Sequence, residues 1–258
     1  MSTLLSLQNI SAGYPRREVV RRVSFTVEEG DFCALLGLNG CGKTTLLKSV
    51  CGLLPIKEGS CTVAGQDCTR MHEKQRACLM SYIPQRGSLI LGKTVTEVVL
   101  MGFNPHLRLL DSPGAAERQI TLHTLERLGL LEFAERDYGS LSEGQKQLVI
   151  LARALVQNTP VMLMDEPDSA LDFVNRNMVL GKIREILHEE KRAGLITLHD
   201  PNFALAYCDR LLLMRDGTIA REVCLYEADR EEIEEALGLI YGKIRILQHP
   251  GGFVMVRA

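Results

Sequence analysis

No apolar run among the 258 residues reaches the ~20 that a membrane-spanning helix needs. There is no excess of basic residues either. The formal net charge is −2, which argues against a nucleic-acid partner, since such proteins carry clustered positive charge. The opening MSTLLSLQNI has neither the basic nor the apolar region of a signal peptide, so the chain is expected to stay in the cytosol. Eight cysteines contain no CxxC pair, and their spacings match no common zinc pattern. Reduced, most of them should behave as small buried apolar residues. Low-complexity segments and internal repeats are missing as well. What remains is 46% hydrophobic and 24% charged, an ordinary globular balance with length for one large α/β domain or two small ones.

The pattern along the chain is mixed. LSLQNI alternates toward a turn at Gly13, VSFTVEEG alternates again, and FCALLG is continuously apolar, so the opening third reads as strands. A helical pattern follows over 44–51, then loop, turn and strand over 53–65. From about 94 to 157 the pattern is mostly helical, broken by NPHLRLLDSPG. VMLMDEP returns to an apolar strand, followed by a helix over 173–190, the strand LITLHD, a short helix and the strand LLLMRDG. An acidic helix and two strands, KIRILQ and FVMVRA, close the chain and read as structural. Alternating strands and helices predict an α/β fold with a largely parallel sheet, and the central helical stretch reads as an inserted subdomain.

Gly37, Gly42, Lys43 and Thr44 satisfy GxxxxGK[ST], with an apolar strand before and a helix after. That context makes the motif a phosphate-binding loop. Glycines let backbone N–H groups curl around a phosphate without Cβ clashes. Lys43 brings a point charge to the β- and γ-phosphates, and the Thr44 hydroxyl suits Mg²⁺. The loop makes the chain a nucleotide binder but does not distinguish a kinase from a GTPase or a motor.

The strand VMLMDEP ends in Asp165 and Glu166. Asp165 has the place of an acid that holds Mg²⁺. Glu166, one residue on, is expected on the opposite side of the strand end, where it can polarise a water as general base. That favours hydrolysis over transfer to a substrate with its own nucleophile. His199 ends LITLHD, at the edge of a parallel sheet where ligands bind, and can steady a γ-phosphate. Gln85, in YIPQ after a third strand, is a plausible Mg²⁺ or water contact.

In order along the chain, Tyr14, GLNGCGKTT, YIPQ, LSEGQ, VMLMDEP, SALD and LITLHD resemble the nucleotide-binding subunit of ATP-binding cassette (ABC) transporters, over about residues 4–240. The resemblance implies a phosphate-loop ATPase core with a parallel sheet, an N-terminal antiparallel β subdomain and an inserted α-helical subdomain. A single domain would span 1–258, with the core over about 1–85 and 158–258 and the helical part over about 86–157. Tyr14 would stack on adenine, while Gly37, Asn39, Gly40, Cys41, Gly42, Lys43, Thr44 and Thr45 would cradle the triphosphate of ATP. Thr44, Gln85 and Asp165 would serve Mg²⁺, Glu166 would be the base, and His199 would steady the γ-phosphate. LSEGQ stands where the family has LSGGQ. Ser142, Gly144 and Gln145, with Asp172 of SALD, would meet nucleotide held by a second copy in a head-to-tail dimer. Glu143 is the departure, and its carboxylate is expected to turn toward Lys146 or solvent.

One cassette without fused spans argues against most exporters, and one cassette rather than two against translation factors. VTEVVLMGFNPH, ARALVQNTPVMLMDEPDSALDF and LHDPNFALAYCDRLLLMRDG resemble subunits that energise uptake of iron–siderophore, haem and cobalamin complexes. Molybdate, tungstate or other metal uptake, or a soluble non-transport ABC ATPase, is the alternative. The importer reading implies multi-span membrane permease subunits as partners, an extracytoplasmic binding protein beyond them, and a peripheral place on the cytoplasmic side of the membrane. Residues 86–110, with Leu89, Ile90, Leu91 and Leu107, would form the groove for the permease. Cys41 lies inside the phosphate loop at a helix start, a setting that tends to activate thiols. ATP hydrolysis should be sensitive to alkylation of Cys41 and bound ATP should protect it; full turnover after stoichiometric labelling would contradict this.

Overall fold

Strands that alternate apolar and polar residues bury one face, and strands that are apolar throughout bury both; the chain uses both kinds. A computed structural model describes residues 2–85, 91–108, 110–169 and 171–258. Its elements begin with β1 (Thr3–Tyr14), β2 (Arg17–Glu28), β3 (Phe32–Leu36), α1 (Lys43–Val50), β4 (Ile56–Val63) and β5 (Gln66–Asp67). Then come α2 (Glu73–Ala77), β6 (Met80–Ile83), α3 (Val95–Leu100), α4 (Ala115–Arg127), α5 (Glu143–Val156), β7 (Val161–Asp165) and α6 (Phe173–Glu189). The last are β8 (Ala193–Thr197), α7 (Pro201–Tyr207), β9 (Arg210–Arg215), β10 (Thr218–Cys224), α8 (Arg230–Tyr241), β11 (Ile244–His249) and β12 (Gly252–Arg257).

An antiparallel sheet of order β2-β1-β4-β5 stands beside a six-stranded sheet of order β10-β9-β3-β8-β7-β6. In the larger sheet only β10 runs antiparallel, to β9 at the edge. Every residue of β3, β7 and β8 is buried. The pleat then divides them between two cores. Phe32, Ala34, Leu36, Met162, Met164 and Ile196 face the helices. Cys33, Leu35, Val161, Leu163, Ala193 and Leu195 face the antiparallel sheet. Cys33, Cys61 and Cys68 are buried apolar fillers of the second core, and burial pushes all three thiols above their usual range.

Gly13 does not turn the chain. It lies inside β1 at a register shift against β2, where an added Cβ would come within 2.3 Å of the Arg17 carbonyl. A glycine serves a bulge as well as a turn, and the turn falls one residue beyond Tyr14. Of the apolar residues expected to face a membrane partner, Leu89 and Ile90 lie outside the described residues. Leu91 is exposed, and Leu107 is half-buried against the main core. No helix among the described residues is long and apolar enough to cross a membrane.

The helical segment is held to the core through α5, whose apolar face carries Leu148, Val149, Leu151, Ala152 and Leu155 into the main cluster. Gly102, just after α3, lies so close that a Cβ there would sit 2.2 Å from the Arg153 carbonyl of α5. Backbone cannot yield as a side chain does, so overpacking costs about 1–3 kcal/mol. Gly102→Ala should lower folding stability by about that amount in a urea titration, and an unchanged midpoint would contradict the close approach.

Candidate functional site

The C-terminal ends of the parallel strands are where an α/β sheet offers its ligand edge, and the expected residues gather there. Between β3 and α1, residues 37–42 form a loop closed on itself. Gly40 (φ 81°) and Gly42 (φ 118°) take left-handed backbone, which side chains other than glycine rarely adopt. At Gly37 an added Cβ would meet the Met214 carbonyl at 2.3 Å and Cys41 Sγ at 2.7 Å. The Gly217 N–H donates to the Cys41 carbonyl at 3.1 Å, so the β9–β10 turn braces the loop from behind. Lys43 is buried, and its Nζ donates to the Gly37 carbonyl at 2.7 Å and the Leu38 carbonyl at 3.4 Å. The ammonium is thus folded into the loop, beside the N-terminus of α1, where partial positive charge favours an anion.

Asp165, at the end of β7, is buried and bound on both oxygens. Oδ1 accepts from Thr44 Oγ1 at 3.0 Å and Thr197 Oγ1 at 3.0 Å, and Oδ2 accepts from the Tyr82 hydroxyl at 3.2 Å. Burial, and then the neighbouring Asp165, push the Tyr82 phenol well up, so it stays a donor. Thr197 also accepts from the Glu166 N–H at 2.8 Å. Thr197 and Tyr82 lie inside LITLHD and YIPQ, but those motifs give neither a role. Their signal in the sequence is a polar side chain in a mostly apolar strand, which must find a partner when buried.

Glu166 bonds a different set of partners from Asp165. β7 ends at Asp165, and Glu166 itself has φ 48°, a left-handed backbone that a non-glycine residue holds only under constraint. Its buried carboxylate takes Gln85 Nε2 and His199 Nε2 on the same oxygen, Oε2, the second at 2.6 Å. Gln85, His199 and Glu166 therefore form one cluster, beside the cluster of Thr44, Asp165 and Thr197. The two hard oxygens of Thr44 and Asp165 are the donor types Mg²⁺ takes when it keeps waters and substrate phosphates as its other ligands.

Tyr14, at the end of β1, is 46% exposed, and its ring is open to a stacking partner. A cleft of about 720 Å³ opens along the outer side of the loop, lined by Arg17, Val19, Asn39, Gly40 and Cys41. The other expected residues stand apart from these. Ser142 caps α5: its Oγ accepts from the Gln145 N–H at 3.3 Å, and Gln145 Oε1 accepts from the Ser142 N–H at 3.0 Å. As an acceptor there, the hydroxyl keeps its proton for an outside anion. Gly144 is needed because Asn175 lies on it, 2.8 Å from where a Cβ would be. Asn175 in turn is bound by Asp172, the cap of α6, at 2.8 and 3.0 Å. Ser142, Gly144, Gln145 and Asp172 thus form a second face, separate from the chain's own phosphate loop.

The sequence pattern of the ABC transporter family matches residues 20–169. A Helicobacter pylori protein described as a probable iron chelatin transport ATP-binding protein is 34% identical over 214 residues, which cover 83% of this chain and 84% of that one. Among solved structures, an ABC transporter described as of the metal-chelate type, facing inward, is 27% identical with a TM-score of 0.83, covering 98% of this chain and 96% of that one. A dimeric bacterial ABC transporter cassette is 27% identical with a TM-score of 0.75, covering 86% and 99%.

Glu143 is paired with Lys146, whose Nζ lies 2.8 Å from Oε1, and its side chain is 63% exposed. An exposed pair of this kind is worth about 0–1 kcal/mol, and its carboxylate suits the first turn of a helix. Glu143→Gly should therefore change ATP affinity by less than about fivefold. A large rise in ATP-driven dimerisation would instead show that this carboxylate opposes closure.

Proposed function

The chain belongs to the ABC transporter family, and on that footing we propose that it energises import of a metal chelate of the iron–siderophore, haem or cobalamin kind. It is an ATP-hydrolysing subunit with the ABC ATPase fold. The observation that carries the mechanism is the convergence of Thr44, Asp165, Glu166, Gln85 and His199 beside the phosphate loop.

Tyr14 stacks on adenine, whose flat face suits an exposed ring. The backbone N–H groups of residues 37–45 take the phosphates, and the Lys43 ammonium, now held by two carbonyls, turns to the β- and γ-oxygens. Thr44 and Asp165 would hold Mg²⁺, and Gln85, whose nitrogen bonds Glu166, keeps its side-chain oxygen as a further candidate ligand. When bound, the ion neutralises charge on the β- and γ-phosphates. Both partners of Glu166 fall on Oε2, and no side chain among the described residues bonds Oε1. Oε1 is then the oxygen that takes a proton from the attacking water. Gln85 and His199 hold the carboxylate in place, and the exposed His199 ring can swing to the γ-phosphate as charge develops there.

Ser142, Gly144, Gln145 and Asp172 act in trans. In a two-fold head-to-tail pair, each such face would cover nucleotide on the other copy's loop, giving two composite sites in one isologous dimer. The chain would sit on the cytoplasmic side of the membrane against multi-span permease subunits, and an extracytoplasmic binding protein would deliver the chelate. The Helicobacter relative and the metal-chelate neighbour support this substrate class.

Glu166→Gln should keep ATP binding, lower turnover by roughly 10²-fold or more, the usual contribution of a general base, and trap an ATP-bound dimer. Unchanged turnover would remove Glu166 from that role. Purified from gently solubilised membranes of its native host, the same variant should bring down a multi-span permease with a secreted binding protein. Soluble partners alone would overturn the import reading.

A further inference from the structure

The segment after Glu166 contains a second buried acid that the mechanism above does not use. Asp168 is 2% exposed. Its Oδ1 has no hydrogen-bond partner among the described residues, and its Oδ2 lies 3.1 Å from Arg176 Nε. The two groups meet as charges rather than as an aligned hydrogen bond, since Nε also lacks a formal acceptor. Burial pushes the Asp168 carboxyl up, and the Arg176 charge opposes that rise.

Arg176 does more than neutralise this acid. One terminal nitrogen donates to the Leu171 carbonyl at 3.3 Å. The face of its guanidinium lies over the Phe203 ring, 4.9 Å from the centroid. These three contacts reach two different stretches. Asp168 lies two residues after Glu166. Leu171 precedes Asp172. Phe203 is in α7, four residues after His199, and its N–H is tied to the Asp200 carbonyl at 3.2 Å. A planar guanidinium can meet a carboxylate, a carbonyl and an aromatic face at once, and an ammonium cannot.

We infer that Arg176 is a positioning residue that locks Asp168 and Leu171, beside Glu166 and Asp172, to the turn carrying His199, so that they move together. The inference rests on the roles proposed above for Glu166, Asp172 and His199. The Glu166–His199 pair and the Phe173 ring, 6.0 Å from that of Phe203, also link the two sides, but among the described residues no other side chain bonds or stacks on Asp168, Leu171 and Phe203 together. A shift of the segment on one side is thereby passed to the other, and the base is held at a fixed distance from the imidazole that contacts it.

The test separates positioning from plain stabilisation. Arg176→Met leaves Asp168 buried without its counter-charge and should lower both the melting temperature and ATP turnover. Adding Asp168→Asn removes that lone charge. The double variant should recover its melting temperature, yet stay about tenfold low in kcat, with KM for ATP within about twofold because the phosphate loop is untouched; misplacement of about 1 Å can cost that much. Arg176→Lys keeps the charge without the fork and should also be slow. In a Glu166→Gln background the double variant should form less ATP-dependent dimer than Glu166→Gln alone. If turnover and dimer return together with stability, Arg176 is structural only and the inference fails. If Glu166→Gln alone forms no ATP-dependent dimer, the failure lies in the proposed role of Glu166 instead.

Discussion

One buried carboxylate holds the catalytic end of the molecule together. Asp165 takes a hydrogen bond from Thr44 at the start of α1, one from Thr197 in β8 and one from Tyr82 in β6. A carboxylate buried at this depth needs its oxygens satisfied. Satisfying them fixes the phosphate-loop helix against three neighbouring strands. Thr197 extends the effect, because the hydroxyl that donates to Asp165 also accepts from the Glu166 N–H. The backbone that presents Glu166 is thus pinned by the partner of the acid beside it. This explains how a left-handed φ at a non-glycine residue is sustained: the surrounding bonds leave it no alternative.

The sheet makes that arrangement possible. Because β3, β7 and β8 are apolar on both faces, they can lie between two cores, and only their ends are free for polar chemistry. The helices pack on one face and the antiparallel sheet on the other. Glu166, His199 and Lys43 therefore meet at one edge although they are far apart in the chain. The signature face at α5 and the cap of α6 is built separately, through Asn175 lying on Gly144. Under the proposed pairing, a chain built this way would need a second copy to complete its site, as in the dimeric cassette it resembles in fold.

Much of this is legible in the sequence because it depends on spacing. GLNGCGKTT between an apolar run and a helix, DEP after VMLM, and HD after LITL each set a functional residue at a strand end, and strand ends converge in any parallel sheet. The continuous apolar runs are equally plain. What stays hidden depends on pairs distant in sequence. Nothing local marks Thr197 as the bridge between Asp165 and Glu166, or Asp168 as the partner of Arg176. Gly13 reads as a turn because glycine serves turns and bulges alike, and only the register against β2 separates them. Pleat alternation assumes that the strand continues through Glu166, but β7 ends at Asp165 and Glu166 has left-handed backbone.

Glu143 shows how such a departure can be absorbed. A carboxylate within a phosphate-binding signature looks like a defect if the site is pictured as one point. The helix start is instead divided among neighbours. Ser142 takes the cap and keeps a proton to give, Gly144 is reduced to backbone by the pressure of Asn175, and the Gln145 amide closes the capping box. Position 143 is exposed, and Lys146 one turn along pairs with it. The helix dipole favours an acid in that first turn. The groups that the resemblance assigns to an anion are held by the cap and by Asn175, while the Glu143 carboxylate is paired with Lys146.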